Sequence, residues 1–205
     1  MLKDLTITEF LQQTASSEPL PGGGCTAALN AALAASLTEM VANLTIGRRE
    51  FEAVEDEMIN IAETSAALRK KLQNEIDNDA HAYREVLAAF KLPKNTEEEK
   101  NRRSDAIQQA FKAAATVPLG VARDALKIMD LAARAIAKGN QNAVTDGAVG
   151  VLVSRAAVLA AIYNVKVNLS AIKDPDFVKE LAREVEALEG QAIEKEKQIL
   201  DPLEI

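Results

Sequence analysis

The chain has 205 residues, near the upper end of one ordinary domain and short of two. Hydrophobic residues make up 48% of it, enough for a sizeable core, while a single Cys and a single His exclude a disulfide framework and a Cys-based zinc site. Asp and Glu number 31 against 24 Lys and Arg, a net charge of −7, which argues against a nucleic-acid partner because phosphate contact needs a basic face.

The 37 Ala residues, the abundance of Leu, Glu, Lys, Gln and Arg, and an aromatic share of only 3% favour helix throughout. The start, Met1-Leu2-Lys3-Asp4-Leu5-Thr6, has no apolar run after a basic segment, so no secretory signal is expected and the location expected is cytoplasmic. Breaks fall at Pro19-Leu20-Pro21-Gly22-Gly23-Gly24, at Leu92-Pro93-Lys94-Asn95, at Gly139-Asn140-Gln141-Asn142 and at Lys173-Asp174-Pro175. Between them the apolar period is helical. The expected architecture is all-α, one helical-bundle domain over residues 1–205 with long Ala-rich helices that dimerise through helix packing.

Pro21-Gly22-Gly23-Gly24-Cys25-Thr26 leads straight into the first long helix. Three glycines let a ligand approach the backbone, and the free N–H groups of a helix start attract anions; the plainer alternative is a tight turn that merely opens a helix. No Lys-Ser/Thr follows, so this is not a P-loop, and no strand precedes it, so it is not a dinucleotide fingerprint. Along this helix Leu29, Leu33, Leu37, Met40, Val41 and Leu44 share one stripe, and Ala28, Ala31, Ala35, Thr38 and Ala42 share another. Both sides are therefore expected to be covered, the Ala side by a closely approaching helix. Ser36, Glu39 and Asn43 form a narrow polar strip, read as a solvated edge before a catalytic one. Residues 27–44 and 148–165 are apolar enough to test as membrane spans. They carry Glu39 and Arg155 at mid-span, and such charges cost roughly 2.5–3.5 kcal/mol, so both read as buried helices and no membrane partner is expected.

Further along, Asp77 and His81 are i,i+4 neighbours, as are Asp79 and Tyr83, so the two pairs lie on different faces. Neither Glu-x-x-His nor His-x-x-x-His occurs, which argues against a metal site. His81 reads as an exposed helix residue before a catalyst. Lys94 follows Leu92-Pro93, a rigid mount for a cation ahead of a helix, and Thr96 with Glu99 forms a capping box. Pro118 is expected to kink or divide the helix that contains it. Asn140, Asn142 and Asp146 cluster among Gly139, Gly147 and Gly150: a turn with Asn140 near the left-handed position, or a polar pocket of close approach. Asn164 and Asn168 share one face of an apolar segment, and buried amides need partners. If Asp146 and Asn164 belong to one helix they lie on the same face about 27 Å apart, so they line a long groove or converge from two subunits. Asp174 caps Pro175, and Phe177, Leu181, Val185, Leu188 and Ala192 form the stripe of the last helix.

Pro21-Gly22-Gly23-Gly24, the helix ending Met40-Val41-Ala42-Asn43-Leu44-Thr45, and Leu92-Pro93-Lys94-Asn95-Thr96-Glu97-Glu98-Glu99-Lys100 together resemble the cyclodeaminase/cyclohydrolase family. Val117-Pro118-Leu119, Gly139-Asn140-x-Asn142, Asp146 and Asn164-Val165-x-Val167-Asn168 fit the same family, in its order. Its members are the C-terminal domain of formiminotransferase-cyclodeaminase and stand-alone bacterial methenyltetrahydrofolate cyclohydrolases. Two features depart from the pattern: Cys25 stands where Ser is common, and Asp146-Gly147-Ala148 reverses the usual order of the small residues.

The resemblance implies an all-helical homodimer or larger homo-oligomer that binds a tetrahydrofolate derivative as substrate near the subunit interface, with no bound cofactor and no metal. It implies Lys94, Asp146 and Asp79 as catalytic candidates, and Gly22, Gly23, Gly24, Tyr83, Asn140, Asn142 and Asn164 as substrate-binding ones. The methenyl carbon lies between two nitrogens and shares their positive charge. A carboxylate, Asp146 or Asp79, suits that cation and the activation of water, and Lys94 suits proton donation to the departing nitrogen. Arg48, Arg49, Arg102 and Arg103 are candidates for an anionic tail or plain surface charges. The expected activity is hydrolysis of the methenyl bridge to 10-formyltetrahydrofolate. Its alternatives are cyclodeamination of 5-formiminotetrahydrofolate and a non-catalytic helical binding module.

Overall fold

The structure, a computed structural model, describes residues 1–203, and no strand occurs among them. Six α-helices carry the chain: α1 (Ile7–Thr14), α2 (Gly23–Asn43), α3 (Glu55–Phe90), α4 (Glu97–Lys138), α5 (Val144–Leu169) and α6 (Pro175–Leu200). The all-helical class expected from composition is the one observed. Local chemistry sets the helix starts. Thr96 accepts from the Glu99 N–H while the Glu99 carboxylate accepts from the Thr96 N–H, closing the box that opens α4. Asp174 accepts from the N–H groups of Asp176 and Phe177, with Pro175 in the first turn of α6.

With breaks so few, α3 and α4 run 36 and 42 residues and form a long hairpin. α2 and α5 pack on each other and on this hairpin, and α6 lies outside against α5 and α4. Small residues permit the central contact. Ala27, Ala28, Ala31, Ala34, Ala35, Thr38 and Ala42 of α2 are buried, and Gly150 of α5 rests against Leu37 and the Ala34 carbonyl. α2 and the stretch 141–169 are long and apolar enough to cross a membrane by length and composition, yet about half of each is buried against the other helices.

The structure corrects three expectations. The Ala side of α2 is covered, but the other only in part: Val41 is buried and Leu37 half-buried, while Leu29, Leu33, Met40 and Leu44 are 37, 50, 36 and 39% exposed, because the chain supplies few neighbours there. Of the two effects expected of Pro118, division of α4 does not occur: the helix continues through it, and the Ala114 carbonyl that loses its helical donor gains one from α5. Asn140 is not left-handed; its φ is −63° and it caps the short turn Gln141–Ala143. The polar strip of α2 is an edge, as expected, where Arg69 of α3 donates to Glu39 at 2.9 Å.

Candidate active site

A cleft of about 410 Å³ opens at the N-terminal end of α2, between the first turn of that helix, the middle of α3, α4 and the C-terminal half of α5. Gly22, Gly23 and Gly24 form one wall, Asp79 and Tyr83 enter from α3, and Asn164 and Asn168 from α5. Apolar surface comes from Ala82, Val86, Phe111, Ala114 and Val167.

The glycines are required by close approach, since their φ values are ordinary and only Gly47 has a positive one, +74°. A methyl group on Gly24 would collide with the Asp79 carboxylate, and one on Gly23 would fall 3.3 Å from Asn164 Nδ2. The N-cap residue Gly22 has no side chain to cap α2; the Cys25 N–H goes to Asp79, and the Gly23 and Gly24 N–H groups remain for whatever sits above them. Asp79 is the side chain that reaches this end. Its Oδ2 accepts from Cys25 Sγ at 3.2 Å. Burial pushes the Asp79 carboxyl above its usual range, against the Cys25 thiol and backbone N–H, which favour the ionised form. The Cys25 thiol is itself pushed up to about 12, first by burial and then by the Asp79 charge. A thiol so placed stays protonated and serves as a donor, not a nucleophile. The cleft thus holds a carboxyl biased toward general acid–base work, in a partly apolar setting, beside unpaired backbone donors.

On α5, Asn164 Nδ2 donates to Ala160 O at 2.9 Å, and Asn168 Nδ2 donates to Ala114 O at 3.0 Å and to Asn164 O at 2.8 Å. Of the residues singled out by the resemblance, Gly22, Gly23, Gly24, Asp79, Tyr83 and Asn164 are brought together here. Asn168, Cys25, Val86 and Phe111 complete the cleft and its support without having been assigned to it. The i,i+4 spacing of Asn164 and Asn168 was a usable signal, whereas Val86 and Phe111 look like any apolar helix residues.

Asn140, Asn142 and Asp146 stand at the opposite end of α2. The Asn140 N–H donates to Thr45 Oγ1 at 2.9 Å, its Nδ2 to Leu44 O at 3.1 Å, and its Oδ1 accepts from the Asn142 N–H at 3.0 Å. Asn142 is exposed and Asp146 half-buried in the first turn of α5. Because α5 is one helix, Asp146 and Asn164 are about 27 Å apart, as the spacing predicts. Lys94 is exposed on the turn between α3 and α4, outside the lining of the cleft. His81 is exposed and faces a separate depression with Asp77 and Arg84. Arg103 donates to the Phe90 carbonyl and Arg48 lies 4.0 Å from Glu50. No group of three or more His, Cys, Asp or Glu side chains is assembled among the described residues.

The sequence profile of the formiminotransferase-cyclodeaminase family matches residues 6–187. The chain is 42% identical over 187 residues to a methenyltetrahydrofolate cyclohydrolase of Methylorubrum extorquens, covering 91% of this chain and 90% of that protein. It is 32% identical over 203 residues to a formimidoyltransferase-cyclodeaminase of Rattus norvegicus, covering 99% of this chain but only 38% of that longer protein. The crystal structure of a formiminotetrahydrofolate cyclodeaminase from Thermotoga maritima superposes with a TM-score of 0.87 at 31% identity, over 98% of both chains. The matched span includes nearly the whole helical fold, and it places the chain in the formiminotransferase-cyclodeaminase family.

Proposed function

We propose that the chain is a methenyltetrahydrofolate cyclohydrolase that opens 5,10-methenyltetrahydrofolate to 10-formyltetrahydrofolate in the cytoplasm. The observation that carries this reading is the 42% identity to a cyclohydrolase of nearly the same length, over nine-tenths of each chain. The cleft supports it chemically. Water must lose a proton as it adds to the methenyl carbon, and the departing ring nitrogen must gain one. Asp79, held beside the α2 N-terminus with a raised pKa, suits the first task and balances the charge of the bridged cation. Lys94 is the proposed proton donor; it reaches the reaction only if its turn folds over the cleft or meets it from a second chain.

A homodimer is part of the proposal. The uncovered leucines of α2 support it, and so does the separation of the two polar groups. Two copies of α2 paired antiparallel through Leu29, Leu33, Met40 and Leu44 set the N-terminal end of each beside the C-terminal end of the other. α2 is roughly 31 Å long, close to the 27 Å between Asp146 and Asn164. Such pairing delivers Asn142 and Asp146 of one chain to the cleft of its partner. A second reading, cyclodeamination of 5-formiminotetrahydrofolate with release of ammonia, is favoured by the end-to-end likeness to the Thermotoga maritima cyclodeaminase.

The test follows the methenyl chromophore with the purified chain. Its faster decay from methenyltetrahydrofolate is expected; its accumulation from the formimino compound, with ammonia, would transfer the assignment to cyclodeaminase, and no rate above buffer in either direction would leave a binding module. Asp146→Asn is expected to keep the fold and lose activity, and full activity in that variant would remove Asp146 from the chemistry.

A further inference from the structure

Pro118 interrupts the hydrogen-bond ladder of α4 at a point where nothing in the course of the helix calls for a break. Proline has no N–H, so the carbonyl four residues back, that of Ala114, loses its helical donor and is pushed outward by the ring. That carbonyl is not left empty. Asn168 Nδ2 on α5 donates to it at 3.0 Å, and the second hydrogen of the same nitrogen goes to Asn164 O at 2.8 Å. Two carbonyl partners can only face the nitrogen end of an amide, so the orientation of Asn168 is fixed. Both of its hydrogens are engaged. Its Oδ1 accepts from no described residue, and the side chain lines the cleft.

We propose that Asn168 is a specificity-determining residue that holds a fixed acceptor oxygen toward an N–H group of the ligand, and that Pro118 is the positioning residue that frees Ala114 O to hold it there. A loose amide can turn either end toward a ligand; this one cannot, so at Asn168 the α5 wall discriminates in favour of a hydrogen-bond donor. The α2 wall does the reverse, offering the Gly23 and Gly24 N–H groups to acceptors beside Asp79. The pairing also gives one cause for two separate sequence features, a proline inside α4 and an amide pair on apolar α5. The inference deepens the folate reading of the cleft and rests on it for the identity of the ligand.

Two measurements on the full chain test it. In a ¹⁵N-labelled sample the Asn168 side-chain amide is expected to show two inequivalent, exchange-protected protons. Pro118→Ala restores an N–H that reclaims Ala114 O, so that signal should move toward the solvent-exposed position; an unmoved signal overturns the positioning role. In steady-state assays with methenyltetrahydrofolate, Asn168→Ala is expected to raise KM roughly 3–10-fold, the loss of one ordinary hydrogen bond, and to change kcat less. Pro118→Ala should raise KM in the same direction without lowering the melting temperature, and the double variant should do no more than Asn168→Ala alone. An unchanged KM in Asn168→Ala, or fully additive effects, would overturn the proposal. If the wild-type chain opens no methenyl ring, the proposed activity fails on that assay alone. Titration with tetrahydrofolate then decides this inference by itself: a shift of the Asn168 amide signal supports it, and no shift overturns it.

Discussion

At the C-terminal end of α2, Asn140 donates its N–H to Thr45 Oγ1 and its Nδ2 to Leu44 O, and its Oδ1 accepts from the Asn142 N–H, so its backbone donor and both ends of its amide are engaged within the fold. At the N-terminal end, Asn168 keeps an oxygen unclaimed among the described residues, the Gly23 and Gly24 N–H groups have no side-chain cap, and Asp79 receives only the Cys25 thiol and the Cys25 N–H. The two ends use the same residue types, Gly, Asn and Asp. They differ in where the spare hydrogen-bonding capacity lies: at the N-terminal end it lines the cleft, and at the C-terminal end it is confined to Asn142 and Asp146, beside a fully engaged Asn140. Asn140 therefore acts as a brace that fixes the turn carrying Asn142 and Asp146, while the glycines at the other end make room for a carboxylate.

The strongest way to break this contrast is Asp79→Asn. With the proposed base removed, kcat is expected to fall about 10²–10⁴-fold. The fold should not suffer. Folded Asp79 holds its proton more tightly than the unfolded chain does, so its ionisation lowers stability as pH rises from the ordinary carboxylate range through the raised value. At neutral pH the amide variant should then melt at the same temperature or higher, and a kcat within twofold of wild type would remove Asp79 from the reaction. Gly24→Ala comes next. The added methyl displaces the carboxylate, and a shift of that size costs on the order of 10²-fold in kcat/KM, read against an unchanged far-ultraviolet circular dichroism spectrum.

The brace gives a different signature. Asn140→Ala keeps the backbone bond to Thr45 Oγ1 but leaves Leu44 O without its side-chain donor and the Asn142 N–H without its acceptor, at about 1–3 kcal/mol, to be read from denaturant unfolding. Its KM should follow wild type as long as the protein is folded; a KM effect without a stability loss would make Asn140 a ligand contact. The smallest effect belongs to Cys25. Cys25→Ser keeps a donor to Asp79, whereas Cys25→Ala removes one that favours the ionised form. The acid limb of the kcat/KM profile is expected above the usual carboxylate range in the wild type, and should move further up in the Ala variant and stay near wild type in the Ser variant.

Much of the helix plan was legible because it depends on neighbours in sequence. Thr96 and Glu99, or Asp174 and Pro175, meet their partners within a turn, so spacing alone predicts the contact. The glycine run and the Asn164–Asn168 pair stood out by themselves, but that they share one cleft with Asp79 was legible only through resemblance. Cys25 and Asp79 are 54 positions apart, and Asn168 and Ala114 also 54, distances over which a helical period carries no information. The same limit explains Asn140, whose partners on the α2 end lie 95 and 96 positions away. For α2 the pattern identified two apolar sides correctly, but it could not say that one of them is only partly covered within the chain.

The alanine-lined centre has a thermodynamic consequence. Each buried alanine withdraws one methyl group from water, where a leucine would withdraw an isobutyl group, so α2 meets its neighbours over little apolar area for its length. The heat capacity of unfolding scales with that area. Per residue it should fall at or below the low end of the usual range, about 12 cal/mol/K, and the stability of the chain should vary only gently with temperature on either side of its maximum.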